Sequence, residues 1–241
     1  MMSFSLQFVL VLIGTFMIAL VLTPLVRLFS FKIDAVDYPN ARRINTKPMP
    51  SAGGLSIVIA FSIATLVFIP MLTSTTAPIK SYLSYTLPVV GAGWIIALTG
   101  LIDDIKELSA KKKMIGILLA ASLVWFLTDF RLNDFKIPFG GPLLHFEPWL
   151  SYLLTVIWIV AITNAVNLID GLDGLVSGVS IISLVTMGIV SYFFLPVPNL
   201  FLTMTIFVLV ASIAGFFPFN YHPAILYLGD TGALFIGFMI S

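Results

Sequence analysis

The stretch WLSYLLTVIWIVAITNAVNLIDGLDG, residues 149–174, decides the fold class of this chain. It opens with a nearly uninterrupted apolar run, Trp149–Leu168, and about 20 apolar residues are enough for a helix to cross the hydrocarbon core of a bilayer. Its end carries two amides and two carboxylates, on Asn164, Asn167, Asp170 and Asp173. Carboxylates are costly in or near a bilayer and tend to be functional there. The stretch therefore predicts a membrane-spanning helix that ends in a polar site.

The composition of the whole chain agrees with a membrane protein. Of its 241 residues, 59% are hydrophobic and 10% are charged, whereas roughly a quarter of the residues of soluble domains are charged. The net charge is +1, and no basic stripe suggests a nucleic-acid partner. The chain has no cysteine, which excludes a disulfide framework and thiolate chemistry.

The apolar runs predict an all-α, polytopic membrane helix bundle with seven complete transmembrane helices and the start of an eighth. The predicted spans are Phe4–Phe29, Gly53–Leu72, Tyr85–Ile102, Met114–Thr128, Trp149–Leu168, Leu175–Leu195 and Leu200–Phe217. An eighth begins near Ala233 and stops at Ser241, too soon to cross a bilayer. We therefore expect a single membrane domain, 1–241, that is incomplete at its C-terminus. The segment Phe135–Trp149, rich in proline and glycine, predicts a hairpin or loop.

The basic residues predict the orientation of the spans. Nine of the twelve lysines and arginines fall in or beside the loops near 30–52 and 103–113, and basic residues collect on the cytoplasmic side. The N-terminus is then outside, and the loops near 169–174 and 218–232 are also cytoplasmic. As a result, three acidic clusters from distant parts of the sequence converge on one face: Asp103-Asp104, the Asn164–Gly174 segment and Asp230.

Each acidic cluster has a functional and a structural interpretation. Closely packed oxygen ligands suit a hard cation such as Mg²⁺. However, Asp103-Asp104 could end a helix in solvent, and Asn164–Gly174 could be a glycine-rich connection with Asx turns. Asp230 and Thr231 could cap the following helix. A helix N-terminus flanked by glycines also favours phosphate.

Basic residues beside these clusters are candidates for binding anionic substrate. Arg42 and Arg43 in the first loop can pair with phosphate oxygens, or they can merely follow the positive-inside rule. Lys111 and Lys113, near Asp103 in sequence, can hold the remaining phosphate oxygens.

Four segments together resemble the polyprenyl-phosphate N-acetylhexosamine-1-phosphate transferases. They are Pro39–Arg43 with Pro48–Gly54, then Gly100–Asp104, Asn164–Gly174 and Gly229–Gly232, and they follow the order of that family. The resemblance implies transfer of a sugar-1-phosphate from a UDP-sugar to undecaprenyl phosphate, with release of UMP. It implies Mg²⁺ as cofactor, with Mn²⁺ as the substitute. It also implies a multi-pass protein of the bacterial plasma membrane, with a cytoplasmic active site and contact with membrane lipid; a homodimer is left open.

The resemblance also assigns roles to residues of the clusters. Asp230 and Asn167 are similar to the metal ligands of the family. Asp103 is similar to the acid that deprotonates or positions the lipid phosphate, and Asp104 to its supporting partner. Two routes are left open, direct attack by the lipid phosphate and a covalent intermediate on an aspartate; we favour direct attack, because a metal-bound aspartate is a poor nucleophile.

Three further residues and the exact sequence of one motif complete the comparison with the family. Asp170 and Asp173 resemble catalytic-site residues that support the nucleotide or the metal, and Asn220 resembles a nucleotide-contacting asparagine. Ile169 stands where the muramoyl-pentapeptide translocases tend to have threonine. This favours GlcNAc-1-phosphate transfer in the initiation of teichoic acid or O-antigen synthesis, with the translocase of peptidoglycan synthesis as the alternative.

One motif of the family and one rival class bear on this interpretation. The family carries a histidine-rich motif after its eighth span, beyond Ser241, so we expect this chain alone to be inactive. A secondary transporter would also place polar groups in the membrane, but near the midplane and often within inverted repeats. Here the acids lie at span ends, and no repeat is visible.

Overall fold

The computed structural model describes residues 4–39, 47–73, 79–195 and 200–241. Its helices are α1 Phe4–Lys32, α2 Gly54–Ile63, α3 Ile69–Thr73, α4 Ile79–Lys106, α5 Ala110–Leu127, α6 Pro148–Ile169, α7 Leu175–Phe193, α8 Leu200–Asn220 and α9 Gly229–Ile240. A π-helical segment, Ala64–Phe68, joins α2 to α3 in one continuous rod. The short strands are β1 Val36–Asp37, β2 Met49–Pro50, β3 Asp134–Lys136 and β4 Leu143–His145. The predicted all-α class is confirmed.

Six helical stretches are long and apolar enough to cross a membrane. They are Ser5–Lys32, Gly54–Met71, Tyr82–Lys106, Pro148–Ile169, Leu175–Phe193 and Leu200–Asn220. Helix α5 is not among them, because its 18 residues include the three lysines Lys111, Lys112 and Lys113. Helix α9 is shorter still. The protein is thus a multi-pass membrane protein, while the count of seven complete spans stays a prediction.

One predicted boundary differs clearly from the structure. Helix α4 begins at Ile79, well before Tyr85, where the predicted span begins. The segment between them includes serines and a lysine. Apolar runs mark the part of a helix that lies in lipid, whereas the backbone hydrogen bonding of a helix continues past the membrane surface.

Helix α9 lies at the centre of the bundle. It packs against α2, α4 and α6, and Leu234, Phe235 and Ile236 are almost completely buried. The ring of Phe235 meets that of Phe61 edge to face, with centroids 5.8 Å apart. The first turn of α9 therefore lies in the middle of one end of the bundle, where it is surrounded by the ends of other helices.

The chain before α9 is hydrogen-bonded to the chain before α2. Gly53 N donates to Tyr227 O at 3.0 Å, and Gly54 N donates to Leu228 O at 2.8 Å. Tyr227 N in turn donates to Pro50 O in β2 at 2.9 Å. These bonds hold the start of α9 at a fixed height beside the start of α2. The β3–β4 hairpin, which confirms the turn-rich prediction for that region, lies between α5 and α6.

Candidate active site

The backbone near Asp230 packs so closely against neighbouring segments that two glycine positions there have no room for a side chain. Gly229 has a φ of +71°, and a Cβ there would lie 1.5 Å from Ser51 O. A Cβ on Gly100 of α4 would lie 2.4 Å from Asp230 O. Glycine is the residue that tolerates both the left-handed conformation and such a close approach. The two glycines therefore fix where Asp230 starts α9.

Asp104, at the end of α4, caps the N-terminus of α9. Its Oδ1 accepts a hydrogen bond from Asp230 N at 2.8 Å. Its Oδ2 accepts one from Thr231 N at 3.0 Å and another from Thr231 Oγ1 at 2.5 Å. The free N–H groups at a helix N-terminus need such acceptors, and the positive end of the helix dipole favours a carboxylate. The cap thus comes from a residue 126 positions away in sequence.

Lys113, in the first turn of α5, joins two of the predicted acids. Its Nζ lies 2.7 Å from Asp103 Oδ2 and also forms an ion pair with Asp230 Oδ2. Asp103 Oδ1 accepts a hydrogen bond from Leu108 N at 2.6 Å. The three charged side chains are largely buried, with 13% to 25% of their surface exposed. The ammonium offsets the repulsion between two carboxylates that face each other.

Asn167, in the last turn of α6, completes this group. Its Nδ2 donates to Asp230 Oδ1 at 2.8 Å. We call Asp103, Asp104, Lys113, Asn167 and Asp230 the Asp230 cluster. It draws on four helices, α4, α5, α6 and α9, and each of the three segments that parity predicted to meet contributes at least one residue to it.

Asp170 lies at the C-terminal end of α6, close enough to the cluster for the charge of Asp230 to affect its pKa. Burial, together with the nearby carboxylates of Asp230 and Asp37, raises the pKa of Asp170 to about 7. Asp37 comes from β1, so the loop that follows α1 also reaches this end of the bundle. A largely buried group that titrates near neutrality is a candidate for a functional role.

A second set of polar contacts centres on the carboxylate of Asp173. Its Oδ2 accepts a hydrogen bond from Ala224 N at 3.0 Å and lies 2.9 Å from His222 Nδ1. Asn220 is buried, accepts a hydrogen bond from Ser177 Oγ at 2.9 Å, and donates to Leu226 O at 3.3 Å. The loop between α8 and α9 is thereby attached to the start of α7.

Three predicted residues remain. Lys111 is exposed at the start of α5. Arg42 and Arg43 lie outside the described residues. The catalytic, substrate-binding and metal-binding roles assigned to the site residues stay predictions.

Sequence reasoning missed or undervalued three residues. Thr231 was considered only as a cap of its own helix, whereas it donates to Asp104. His222, to which the sequence analysis assigned no role, faces Asp173. Asp37, which lies two positions before the Pro39–Arg43 motif, was not singled out either. The available signal was proximity to motif residues, because Thr231 is adjacent to Asp230 and His222 follows Asn220 by two positions.

The cluster fits a divalent cation that is held by few protein ligands. Among residues 4–39, 47–73, 79–195 and 200–241, no group of three or more histidine, cysteine or acidic side chains could hold a metal ion. Mg²⁺, however, commonly uses one or two carboxylates, several waters and substrate phosphates. Asp230 and Asn167 adjoin at 2.8 Å, and a cation, the Lys113 ammonium, already lies against Asp230.

Comparison with known proteins places the chain in a family. The sequence profile of glycosyl transferase family 4 matches residues 86–241. A probable undecaprenyl-phosphate N-acetylglucosaminyl 1-phosphate transferase of Bacillus subtilis is 39% identical, over 98% of this chain and 62% of its own length. A decaprenyl-phosphate N-acetylglucosaminephosphotransferase of Mycolicibacterium smegmatis is 32% identical, over 90% of this chain and 54% of its own.

A relative named for a different activity matches as well. A phospho-N-acetylmuramoyl-pentapeptide-transferase of Staphylococcus saprophyticus is 33% identical, over 95% of this chain and 72% of its own length. The chain spans 62% and 54% of the length of the Bacillus and Mycolicibacterium relatives. The profile match over most of the chain and the identity to these relatives show that this protein belongs to glycosyl transferase family 4.

Proposed function

We propose that the protein transfers GlcNAc-1-phosphate from UDP-GlcNAc to undecaprenyl phosphate and releases UMP. The relatives from Bacillus and Mycolicibacterium are named as transferases of an N-acetylglucosamine phosphate unit, the first with undecaprenyl phosphate and the second with decaprenyl phosphate. The observation that carries the proposal is the Asp230 cluster, which gathers acids, an amide and a lysine from four helices at one end of a membrane bundle.

The reaction that we propose is a direct displacement at phosphorus. An oxygen of the acceptor phosphate forms a bond to the phosphorus that carries the sugar. The bond from that phosphorus to the bridging oxygen breaks, and this oxygen leaves with UMP. Both substrates are anionic, so a site of carboxylates alone would repel them, and positive charge must be supplied.

The residues of the cluster suit this reaction in distinct ways. Asp230 and Asn167 would hold Mg²⁺, which when bound neutralises charge on the phosphates. Lys113 Nζ bridges two carboxylates and is placed to bind a phosphate oxygen when one enters. Asp103 has one oxygen on Leu108 N and the other on Lys113, so a shift of Lys113 toward substrate frees Oδ2 to accept a proton from the lipid phosphate.

The position of the cluster suits a lipid and a nucleotide that arrive from different phases. The cluster lies at the ends of apolar helices, where a polyprenyl phosphate in the bilayer and a soluble UDP-sugar can meet. We propose that this end faces the cytoplasm of a bacterial cell, because most basic residues flank it. The lysines at the start of α5 are part of this basic end.

Transfer of phospho-N-acetylmuramoyl-pentapeptide is the second candidate. It is favoured by the Staphylococcus relative, which matches 95% of the chain at 33% identity. The two reactions share the acceptor and the displacement at phosphorus, and they differ in the sugar donor. A donor comparison therefore separates them.

An exchange assay tests the reaction and the donor together. Membranes that carry the protein, expressed from the complete gene, are incubated with undecaprenyl phosphate, Mg²⁺, radiolabelled UMP and one UDP-sugar at a time. We expect label to appear in UDP-GlcNAc and not in UDP-muramoyl-pentapeptide. The reverse preference would replace the first candidate by the second, and no exchange with either donor would refute both.

Two variants tie the exchange to the cluster. Asp230→Asn removes the charge that would hold the cation and should reduce exchange by at least about a hundredfold, as expected when an essential charge-stabilising group is lost. Asp129→Asn is the matched control, because that acid lies at the opposite end of the bundle, is 73% exposed and pairs with Arg131. Normal exchange by Asp230→Asn would remove Asp230 from the site.

A further inference from the structure

The β3–β4 hairpin has one apolar face. Phe135 is paired with Leu144 across the two strands, and directly opposed residues of an antiparallel pair share a face. Ile137 follows Phe135 by two positions and so joins the same face. The other face carries Asp134 and His145, which are hydrogen-bonded to each other, and Lys136, which is paired with Leu143. The hairpin is therefore amphipathic, at the end of the bundle opposite to the Asp230 cluster.

Nothing in the described part of the chain covers this apolar face. Phe135, Ile137 and Leu144 are all exposed. In residues 4–39, 47–73, 79–195 and 200–241, strands β3 and β4 contact mainly each other. Large apolar side chains that gather on an exposed surface mark a site of interaction with protein or membrane.

The tip of the hairpin exposes a further aromatic ring at a cost in backbone strain. Phe139 has a φ of +60°, a left-handed conformation that is unfavourable for a bulky side chain. Its side chain is fully exposed. A strained backbone conformation persists when interactions with the surroundings stabilise it. Water does not provide such stabilisation for an exposed phenyl ring.

The base of the hairpin is fixed to the membrane bundle. Leu132 N donates to Thr155 Oγ1 of α6 at 3.0 Å, and Ser151 Oγ donates to Asn133 Oδ1 at 3.1 Å. The neighbouring helix ends also present apolar surface, since the aromatic side chains of Phe126 in α5 and Trp149 in α6 are both highly exposed. The apolar face of the hairpin therefore continues the apolar surface of the spans at the level where they leave the bilayer.

We propose that the apolar face and tip of the β3–β4 hairpin insert into the membrane leaflet opposite to the Asp230 cluster. The occupant of this surface is lipid, because aromatic side chains at helix ends favour the membrane interface and the hairpin is pinned beside them. Charge does not drive the insertion, because residues 129–147 hold three acids and two bases. Insertion is thus independent of anionic lipid and of salt.

Site-specific fluorescence tests the insertion. The chain has no cysteine, so Phe139→Cys gives a single site for an environment-sensitive dye. The protein is expressed from the complete gene and placed as a single copy in nanodiscs of phosphatidylcholine, with or without brominated acyl chains. We expect a blue-shifted emission that brominated lipid quenches, unchanged by added anionic lipid or salt.

Lys136→Cys is the matched control, since Lys136 lies on the other face of the same hairpin. Its dye should emit as in water and should not be quenched by brominated lipid. Equal exposure to water at both positions would overturn the proposal. Shielding at position 139 without quenching by lipid would overturn it too, because it would show protein as the occupant, and shielding that needs anionic lipid would overturn the hydrophobic mode. If Phe139→Cys is poorly folded, Phe135→Cys on the apolar face gives the same comparison.

Discussion

The Asp104 carboxylate is saturated by hydrogen bonds from the first turn of α9. Asp104→Asn keeps the shape but replaces one acceptor by a donor that would face an N–H group. We expect the free energy of unfolding to fall by about 1–3 kcal/mol, measured by thermal or denaturant unfolding in detergent. Thr231→Val removes only the hydroxyl that donates to Asp104 and should cost about 1 kcal/mol. An Asp104→Asn protein as stable as the parent would contradict the capping role.

Asp170 gives the stability a dependence on pH. Its folded pKa of about 7 exceeds the ordinary value of 3.8, chiefly through burial. Between these values the folded state holds a proton that the unfolded state has lost, so stability falls as pH rises from 3.8 to about 7. Thermal unfolding in a chelator should show this decline, and Asp170→Asn should weaken it. A decline of the same size in the variant would assign it to another group.

Helices α4 and α9 approach each other closely enough to make one glycine indispensable. A Cβ on Gly100 would lie 2.4 Å from Asp230 O, whereas a Cβ on Gly91, in the same helix, would meet nothing within 4 Å. Gly100→Ala should therefore lower the melting temperature and displace Asp230. Gly91→Ala should be neutral or stabilising by about 1 kcal/mol, since alanine is the better helix former. Equal melting temperatures for the two variants would argue against the tight contact.

The sequence predicted which helix ends form the site more accurately than it predicted which side chains contact one another there. Apolar runs fix the length of a span and, by parity, the side on which it ends, so Asp104 and Asp230 were expected at the same surface. They do not fix the rotation of a helix about its axis. For that reason the bridge of Lys113 between Asp103 and Asp230 could not be derived. Nor could the contact of His222 with Asp173, which depends on how the loop before α9 folds back.

The molecule as a whole has two chemically different ends, and their orientation can be measured. Lys112, near the Asp230 cluster, is exposed, and Lys136 lies on the hairpin at the other end. Single cysteines at the two positions should react with a membrane-impermeant maleimide from opposite sides of the cell membrane. We expect Lys112→Cys to react only after the cytoplasm is opened. Labelling of Lys112→Cys in intact cells would reverse the proposed orientation.

Because the Asp230 cluster is assembled from four helices, its geometry depends on the thickness of the surrounding bilayer. Asn167 and Asp230 meet at 2.8 Å across α6 and α9, and a helix advances about 1.5 Å per residue, so a slide of a single residue separates them. Membrane helices adjust to a thinner or thicker hydrocarbon layer by tilting. The length of the lipid acyl chains should thereby change the alignment of Asn167 with Asp230, and a host that remodels its fatty acids with temperature would alter the geometry of the cluster with no change in the sequence of the protein.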